Sequence, residues 1–301
     1  MEKRTTFKDL FAKGPVLAPC VYDCVSARIV KRAGFEAMCL SGGELAASRY
    51  GYPDIGLVSL EELVSAVNSI SECVPELPMI VDIDTGFGNE INTIRTCKRV
   101  AKAGAMAVHL EDQTFPKRCG HLRGKEVIPA EDYFHKIEAA HYALEGTDCL
   151  LIARTDAINI HGLDEAIYRC NEAIKHGADI AFVEGARTVE EIEEIAKRVP
   201  GWKMYGMASG GSSPKTTYDQ LTKLGYNLLT MHFTMAGSIM GQEEFARECF
   251  KNKDDIYVTD CDRVDSSPMY LFEMMGIKEW LGLGQRFSGK KEEIKQFAVQ
   301  K

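Results

Sequence analysis

Residues 92–111 read Asn-Thr-Ile-Arg-Thr-Cys-Lys-Arg-Val-Ala-Lys-Ala-Gly-Ala-Met-Ala-Val-His-Leu-Glu, and the two halves of this stretch have different periods. Up to Ala103 the pattern is that of an amphipathic helix. Gly104 stands where a helix C-cap favours a residue tolerant of left-handed φ. Ala107 to Glu111 is then short, apolar and without strict alternation, as expected of a parallel strand buried on both faces. The same helix, glycine, strand unit recurs around Gly34, Gly177 and Gly225.

Working outward from this unit, strands are predicted at residues 16–22, 37–41, 79–84, 107–111, 150–155, 180–183, 203–207 and 227–231. A short helix at 5–13 precedes them. Helices at 25–33, 60–74, 92–103, 131–144, 164–176, 189–199 and 218–224 lie between them. Eight such alternations fit an α/β fold, a closed (β/α)8 TIM barrel. An open doubly wound sheet fits less well, because no Gly-x-Gly-x-x-Gly turn follows the first strand. Residues 235–250 read as a helix, 252–265 as a polar loop, 267–281 as helical and 282–301 as a charged tail. No linker marks a second domain. Residues 1–301 are expected to form one barrel domain, with 251–301 a C-terminal helical extension too long for one closing helix and packing elsewhere, on another subunit.

Composition narrows the function classes. The 301 residues are 45% hydrophobic, ample for a large core, and carry a net charge of −8, which disfavours nucleic acid as a partner. No run approaches the roughly 18 apolar residues of a membrane span. The opening residues lack the apolar centre of an export signal. Ten scattered cysteines show no zinc-type pairing, and free thiols imply a reducing, cytoplasmic setting.

Barrel enzymes build their sites at the C-terminal ends of the strands. Here those ends carry Ser41-Gly42-Gly43, Asp82-Ile83-Asp84, His109-Leu110-Glu111-Asp112, Arg154-Thr155-Asp156, Glu184 and His232. Asp82 and Asp84 share a face on an ideal strand. With Glu111 they make an oxygen-rich cluster suited to Mg²⁺ or Mn²⁺. Ser41, Gly42 and Gly43 offer a hydroxyl and approachable backbone N–H groups to a carboxylate, and Arg154 offers a fork matching two oxygens. His109 serves either as a catalytic group or as a prop for Glu111 or a loop. Lys117-Arg118-Cys119-Gly120-His121 places a thiol among cations, where its pKa is expected to fall.

These runs resemble the isocitrate lyase/phosphoenolpyruvate mutase superfamily, and within it the methylisocitrate lyase and 2,3-dimethylmalate lyase branch. The resemblance covers residues 10–232 and rests on Asp82 to Gly88, His109 to Gln113, Lys117 to His121 and Ala153 to Ala157. It implies a barrel, a homotetramer exchanging C-terminal helices, and Mg²⁺ or Mn²⁺ holding a 2-oxo or 2-hydroxy acid. It further implies Asp82 as direct metal ligand, with Asp54, Asp84 and Glu111 acting largely through water. Ser41, Gly42, Gly43 and Arg154 would seat a pyruvate-like carboxylate, Glu184 and His109 would lie near substrate, and Gly120 and His121 would flank it. Cys119 would be the proton donor on a mobile lid.

Some positions depart from the methylisocitrate lyase pattern. Gly206 and Gly237 replace polar anchors of a third carboxylate, Ser209 replaces a Glu, and Cys39 replaces an aromatic residue. The implied substrate is therefore a small-molecule dicarboxylate such as 2,3-dimethylmalate, cleaved to pyruvate and a short carboxylate such as propionate. His232 or Lys215 could still serve a third carboxylate. 2-Methylisocitrate, the hydrolysis or decarboxylation of oxaloacetate, and a catalytically silent scaffold are the alternatives.

Overall fold

The fold was analysed in a computed structural model that describes residues 4–208, 210–211, 213–259 and 268–288. Eight parallel strands close on themselves in sequence order, each hydrogen-bonded to the next and β8 to β1. They are β1 Val16–Val21, β2 Met38–Leu40, β3 Met79–Asp82, β4 Ala107–Glu111, β5 Leu150–Thr155, β6 Ile180–Val183, β7 Trp202–Met207 and β8 Leu228–Met231. The helices before and between them are α1 Phe7–Phe11, α2 Cys24–Arg32, α3 Gly42–Leu45, α4 Leu60–Cys73, α5 Glu90–Ala103, α6 Ala130–Leu144, α7 Ile158–His161, α8 Leu163–Lys175, α9 Val189–Arg198 and α10 Tyr218–Lys223. The predicted TIM barrel is present.

Local chemistry explains the helix starts. Thr6, Asp23, Ser59, Asn89, Thr188 and Thr217 each cap a helix in a reciprocal box, in which cap side chain and third helical residue exchange hydrogen bonds. The period-two alternation of the strands then sorts the core. Ala18, Cys20, Cys39, Ile80, Ala107, Ile152, Ile180, Phe182 and Met204 fill the barrel, and Phe7 and Leu10 of α1 belong to the same cluster. Alternate residues such as Val81, Val108, Leu110 and Leu151 face the helices. One parity therefore runs from an apolar floor to a charged mouth: Ile80 to Asp82, Ala107 through His109 to Glu111, and Ile152 to Arg154.

Three differences from the sequence reading bear on the site. Strand β2 ends at Leu40, because Ser41 leaves the ladder to cap the short helix α3, which runs into a π-type turn at Ala46–Tyr50. Strand β3 ends at Asp82 rather than at residue 84. Asp84 has φ +47° and donates its N–H to Asp82 Oδ1 at 3.0 Å, so the two carboxylates do not share an ideal strand face. Beyond β8, α11 Phe233–Asn252 and α12 Ile256–Thr259 are followed by α13 Pro268–Met274 and α14 Ile277–Ser288. The helix expected at 267–281 is broken at Gly276, with φ +82°, and α14 continues into the segment read as a tail.

The chain clusters into two compact units, Met1–Ala236 and Gly237–Lys301, so the division falls inside α11. The first unit holds the whole barrel. In the second, Tyr257 Oη donates to Glu244 Oε1 at 2.7 Å and its ring meets that of Phe245 at a tilt of 59°. Among the described residues, no helix is long and apolar enough to cross a membrane.

Gly104 links α5 to the strand carrying His109 and Glu111. Its φ is +117°, and a Cβ there would lie 2.6 Å from Ser71 Cβ and Oγ. Gly104→Ala combines backbone strain with a clash. It is expected to lower stability by about 1–3 kcal/mol in denaturant titration. A loss below about 0.5 kcal/mol, the range of ordinary surface changes, would contradict this account.

Candidate active site

The strand-end residues named from sequence converge at the C-terminal mouth of the barrel. Asp82, on β3, pairs in register with His109 on β4, and Glu111 pairs with Arg154 on β5. A Cβ on Gly42 would lie 3.3 Å from Asp82 Oδ2 and 3.5 Å from Asp84 Oδ1, and one on Gly43 would lie 3.0 Å from Asp54 Cγ. The two glycines therefore let the backbone after β2 come down onto three carboxylates. Ser41 Oγ is used locally and accepts the N–H of Glu44 at 3.3 Å.

The carboxylates differ in their surroundings. Burial works to raise Asp82, but His109, Lys117 and Arg154 outweigh it and hold the group at about 2. Burial, together with the neighbouring Asp82 and Asp54, pushes Asp84 up to about 6 despite Lys117. Burial likewise drives Glu111 well above the ordinary carboxylate range, against Arg154 and Lys117. Glu111 faces Arg154 Nη1 at 3.1 Å and Asp84 faces Lys117 Nζ at 2.9 Å. Even so, both Glu111 oxygens and Asp84 Oδ1 accept no hydrogen bond. Buried acceptors left in this condition fit a cation, so the donor set suits a divalent ion.

Lys117 is the largest departure from the sequence reading. Its place in the sequence groups it with the cations around Cys119, yet it is 2% exposed and its ammonium lies 2.5 Å from Asp54 Oδ1 and 2.9 Å from Asp84 Oδ1. Arg118 also turns away and donates to the Arg123 carbonyl. The thiol of Cys119 therefore does not fall below its ordinary pKa. Burial pushes it up, outweighing the His121 N–H that donates to it. The Cys119 N–H donates to the Asp54 carbonyl at 3.0 Å, tying the thiol to the carboxylate cluster.

The segment carrying Cys119 is folded down over the mouth of the barrel. Its stem pairs Gln113 with Val127, and the Gln113 side chain both donates to the Arg118 carbonyl and accepts the Arg118 N–H. Gly120 sits where a Cβ would come within 2.6 Å of Glu184 Cγ and 3.0 Å of Arg154 Nη2. His121 Nε2 lies 4.0 Å from Glu184 Oε1. Lys125, not singled out from sequence, donates to the Gly120 carbonyl at 2.5 Å and to Asp156 at 2.6 Å. Asp156 in turn holds Arg154 Nε at 2.9 Å.

Two further residues escaped the sequence reading as a pair. Glu44 Oε1 lies 3.1 Å from His232 Nδ1, and His232 Nε2 lies 3.7 Å from Cys20 Sγ. Ligand atoms of this trio lie within 4.8 Å of one another. Both His232 nitrogens are thus engaged. His109 is 5% exposed; its Nδ1 lies 3.4 Å from Asp82 Oδ1 without hydrogen-bond alignment, and its ring meets Phe182 edge-on. Glu111 is not its partner. A Cβ on Gly206 would stand 3.6 Å from Glu184 Oε2 and Phe182 Cζ, ordinary contact distances that leave room for a small side chain. Gly237 falls in the second unit, and Ser209 lies outside the described residues.

With this geometry in hand, comparison with known proteins is informative. Residues 7–246 match the family model for phosphoenolpyruvate phosphomutase. The 2,3-dimethylmalate lyase of Eubacterium barkeri is 39% identical over 219 residues, covering 73% of this chain and 75% of that protein. The 2-methylisocitrate lyase of Aeropyrum pernix is 41% identical over 234 residues, covering 77% and 75%. The structure of an oxaloacetate acetylhydrolase in complex with 3,3-difluorooxalacetate superposes with a TM-score of 0.88 at 30% identity, covering 93% of this chain and 94% of that one. The chain therefore belongs to the phosphoenolpyruvate mutase/isocitrate lyase superfamily, as a carbon–carbon lyase.

Proposed function

We propose that the protein cleaves a substituted malate of the 2,3-dimethylmalate type to pyruvate and a short carboxylate such as propionate. The observation that carries this reading is Cys119: a thiol kept protonated by burial, on a flap closed over the carboxylate cluster.

Asp82, Asp84, Glu111 and Asp54 are the residues that would hold Mg²⁺ or Mn²⁺, which when bound stabilises negative charge on the oxygens of the 2-oxo acid half. Arg154, Gly42 and Gly43 seat the carboxylate of that half, and Ser41 shapes the turn that presents the glycines. Glu184, Gly120 and His121 line the opposite side, and His109 orients Asp82 from behind. Once the substrate hydroxyl has lost its proton, the carbon–carbon bond breaks and the departing half is a carboxylate enediolate. Its carbon must be protonated before water intrudes. Cys119 Sγ–H donates that proton, and the flap held by Lys117 and Lys125 excludes solvent.

A dicarboxylate is favoured over a tricarboxylate. The room beside Gly206 is bordered by Phe182, Thr230 and the Glu184 carboxylate. His232 is neutralised by Glu44 rather than free for a third carboxylate. An acid placed there without a partner bears an unreturned desolvation cost. Hydrolysis of oxaloacetate is the second reading, favoured by the likeness to the acetylhydrolase. In the cell we expect a soluble cytoplasmic homotetramer. The exposed Phe250, Trp280 and Phe287 of the second unit support association, and sedimentation tests it.

With Mg²⁺, kcat/KM is expected to rank 2,3-dimethylmalate above 2-methylisocitrate, isocitrate and oxaloacetate when each is followed by its own product: pyruvate for the first two, glyoxylate for isocitrate, and oxalate or pyruvate for oxaloacetate hydrolysed or decarboxylated. Preference for a tricarboxylate would overturn the pocket reading, and preference for oxaloacetate would replace lyase cleavage by hydrolysis.

Cys119→Ser should lose about 10² to 10⁴ in turnover, the usual size of a proton-transfer contribution, while Mg²⁺ affinity is kept. Near-normal turnover would remove Cys119 from the role.

Lys117→Met leaves Asp54 and Asp84 facing each other without the ammonium. Thermal unfolding without metal should show a loss of about 3–5 kcal/mol, the cost of breaking a buried ion pair. Mg²⁺ should restore more stability to the variant than it adds to the parent. Equal responses to Mg²⁺ would separate Lys117 from the metal site.

A further inference from the structure

We propose that Cys24 and Cys73 form a modification site outside the active site, a dithiol that a small disulfide such as oxidised glutathione converts to a disulfide joining α2 to α4. Cys24 is the first residue of α2 and Cys73 the last of α4. Cys73 Sγ lies 3.9 Å from the Cys24 carbonyl oxygen, and the two thiols are hydrogen-bond neighbours. Cys24 Sγ donates to the Ser69 carbonyl at 3.5 Å, one turn before Cys73, so both sulfurs are fixed on the same side of the helix crossing. Both residues are partly exposed, whereas Cys97, Cys149 and Cys170 are buried. A cavity of about 350 Å³, lined by Cys24, Tyr22, Ser48, Arg49 and Ser69, opens at Cys24.

The two sulfurs are not equivalent. Arg28 Nε donates to Cys73 Sγ at 3.3 Å and holds it in place. Burial and the neighbouring Cys73 push Cys24 up to about 11, so it waits as a thiol. Cys73, which receives the Arg28 N–H, is the attacking sulfur. It loses its proton to solvent, attacks one sulfur of the small disulfide, and releases one small thiolate. Cys24 then loses its proton and attacks Cys73 Sγ, expelling the second small thiolate. The protein loses two hydrogens, and the oxidant is reduced to two small thiols.

The test is peptide mapping of the native full-length protein after exposure to oxidised glutathione and alkylation under non-reducing conditions. The expected result is a Cys24–Cys73 cross-linked peptide that a dithiol reductant abolishes, with Cys97, Cys149 and Cys170 still alkylated only after unfolding. Cys24→Ser should trap glutathione on Cys73, and Cys73→Ser should leave Cys24 unmodified. Absence of the cross-link, pairing of either cysteine with a different one, or trapping on Cys24 in the Cys73→Ser protein would overturn the proposal. Substitution of either half-exposed cysteine by serine leaves the barrel interior untouched, so folding does not obscure the result.

Discussion

The mouth of this barrel depends on how Asp156 is paired. The residue is fully buried, and its carboxylate is shared by Arg154 and Lys125. Those two cations hold it below its ordinary pKa against the pull of burial. Its backbone N–H donates to Asp112 at 2.9 Å; Asp112 also accepts from Thr155 Oγ1 and pairs with Arg169 of α8. A line of charge-assisted bonds therefore runs from an outer helix through β4 and β5 to the flap. Each member would be costly to bury alone, and each is repaid only by its neighbours. Such a network sets geometry more than stability: Arg154 can point only where Asp156 and Glu111 leave it, and the flap can close only where Lys125 finds Asp156.

The apolar floor and the charged mouth are two ends of the same alternating rows. Inward-facing Ile80, Ala107, Ile152 and Ile180 keep water from beneath the site. The next inward residues, Asp82, His109 and Arg154, then sit in a medium where charge interactions are strong. This explains how neighbouring carboxylates diverge so far. Asp82, ringed by His109, Lys117 and Arg154, stays ionised, while Asp84 and Glu111 are pushed toward their protonated forms until more positive charge arrives.

Much of this was legible in the sequence because it depends on period and position. The helix, glycine, strand unit repeated with enough regularity to count eight strands, and the strand ends marked the rim. What escaped depends on partners distant along the chain. Lys117 reads as a neighbour of Cys119, yet its ammonium belongs to Asp54, 63 residues earlier. The basic run therefore lost one cation to the carboxylate cluster and another to a loop carbonyl, and the thiol moved in the opposite direction from that read off its flanks. The strand end marks Asp156, but no local pattern ties Lys125 to it. Glu44 occupies the third helical position after Ser41, where a capping role is the natural reading, and only the closed barrel brings it to His232. Asp84 left its strand face because the turn after β3 requires left-handed backbone.

In the proposed function, proton donation by Cys119 and closure of its loop would be coupled through the same few groups. A proton donor must hold its proton until the carbanion forms, so a thiol lowered by adjacent cations would serve poorly at neutral pH; turning Lys117 inward removes that difficulty. The inward turn also gives the flap a reason to close, since the ammonium meets Asp54 and Asp84, two of the carboxylates suited to hold a divalent ion. Gly120 then packs on Glu184 and Arg154 where no side chain fits. In the proposed reaction one loop residue would meet the charge of the carboxylates placed to hold a metal, while the residue two positions on would deliver the proton. The spacing of Lys117 and Cys119 ties the state of the first to the placement of the second.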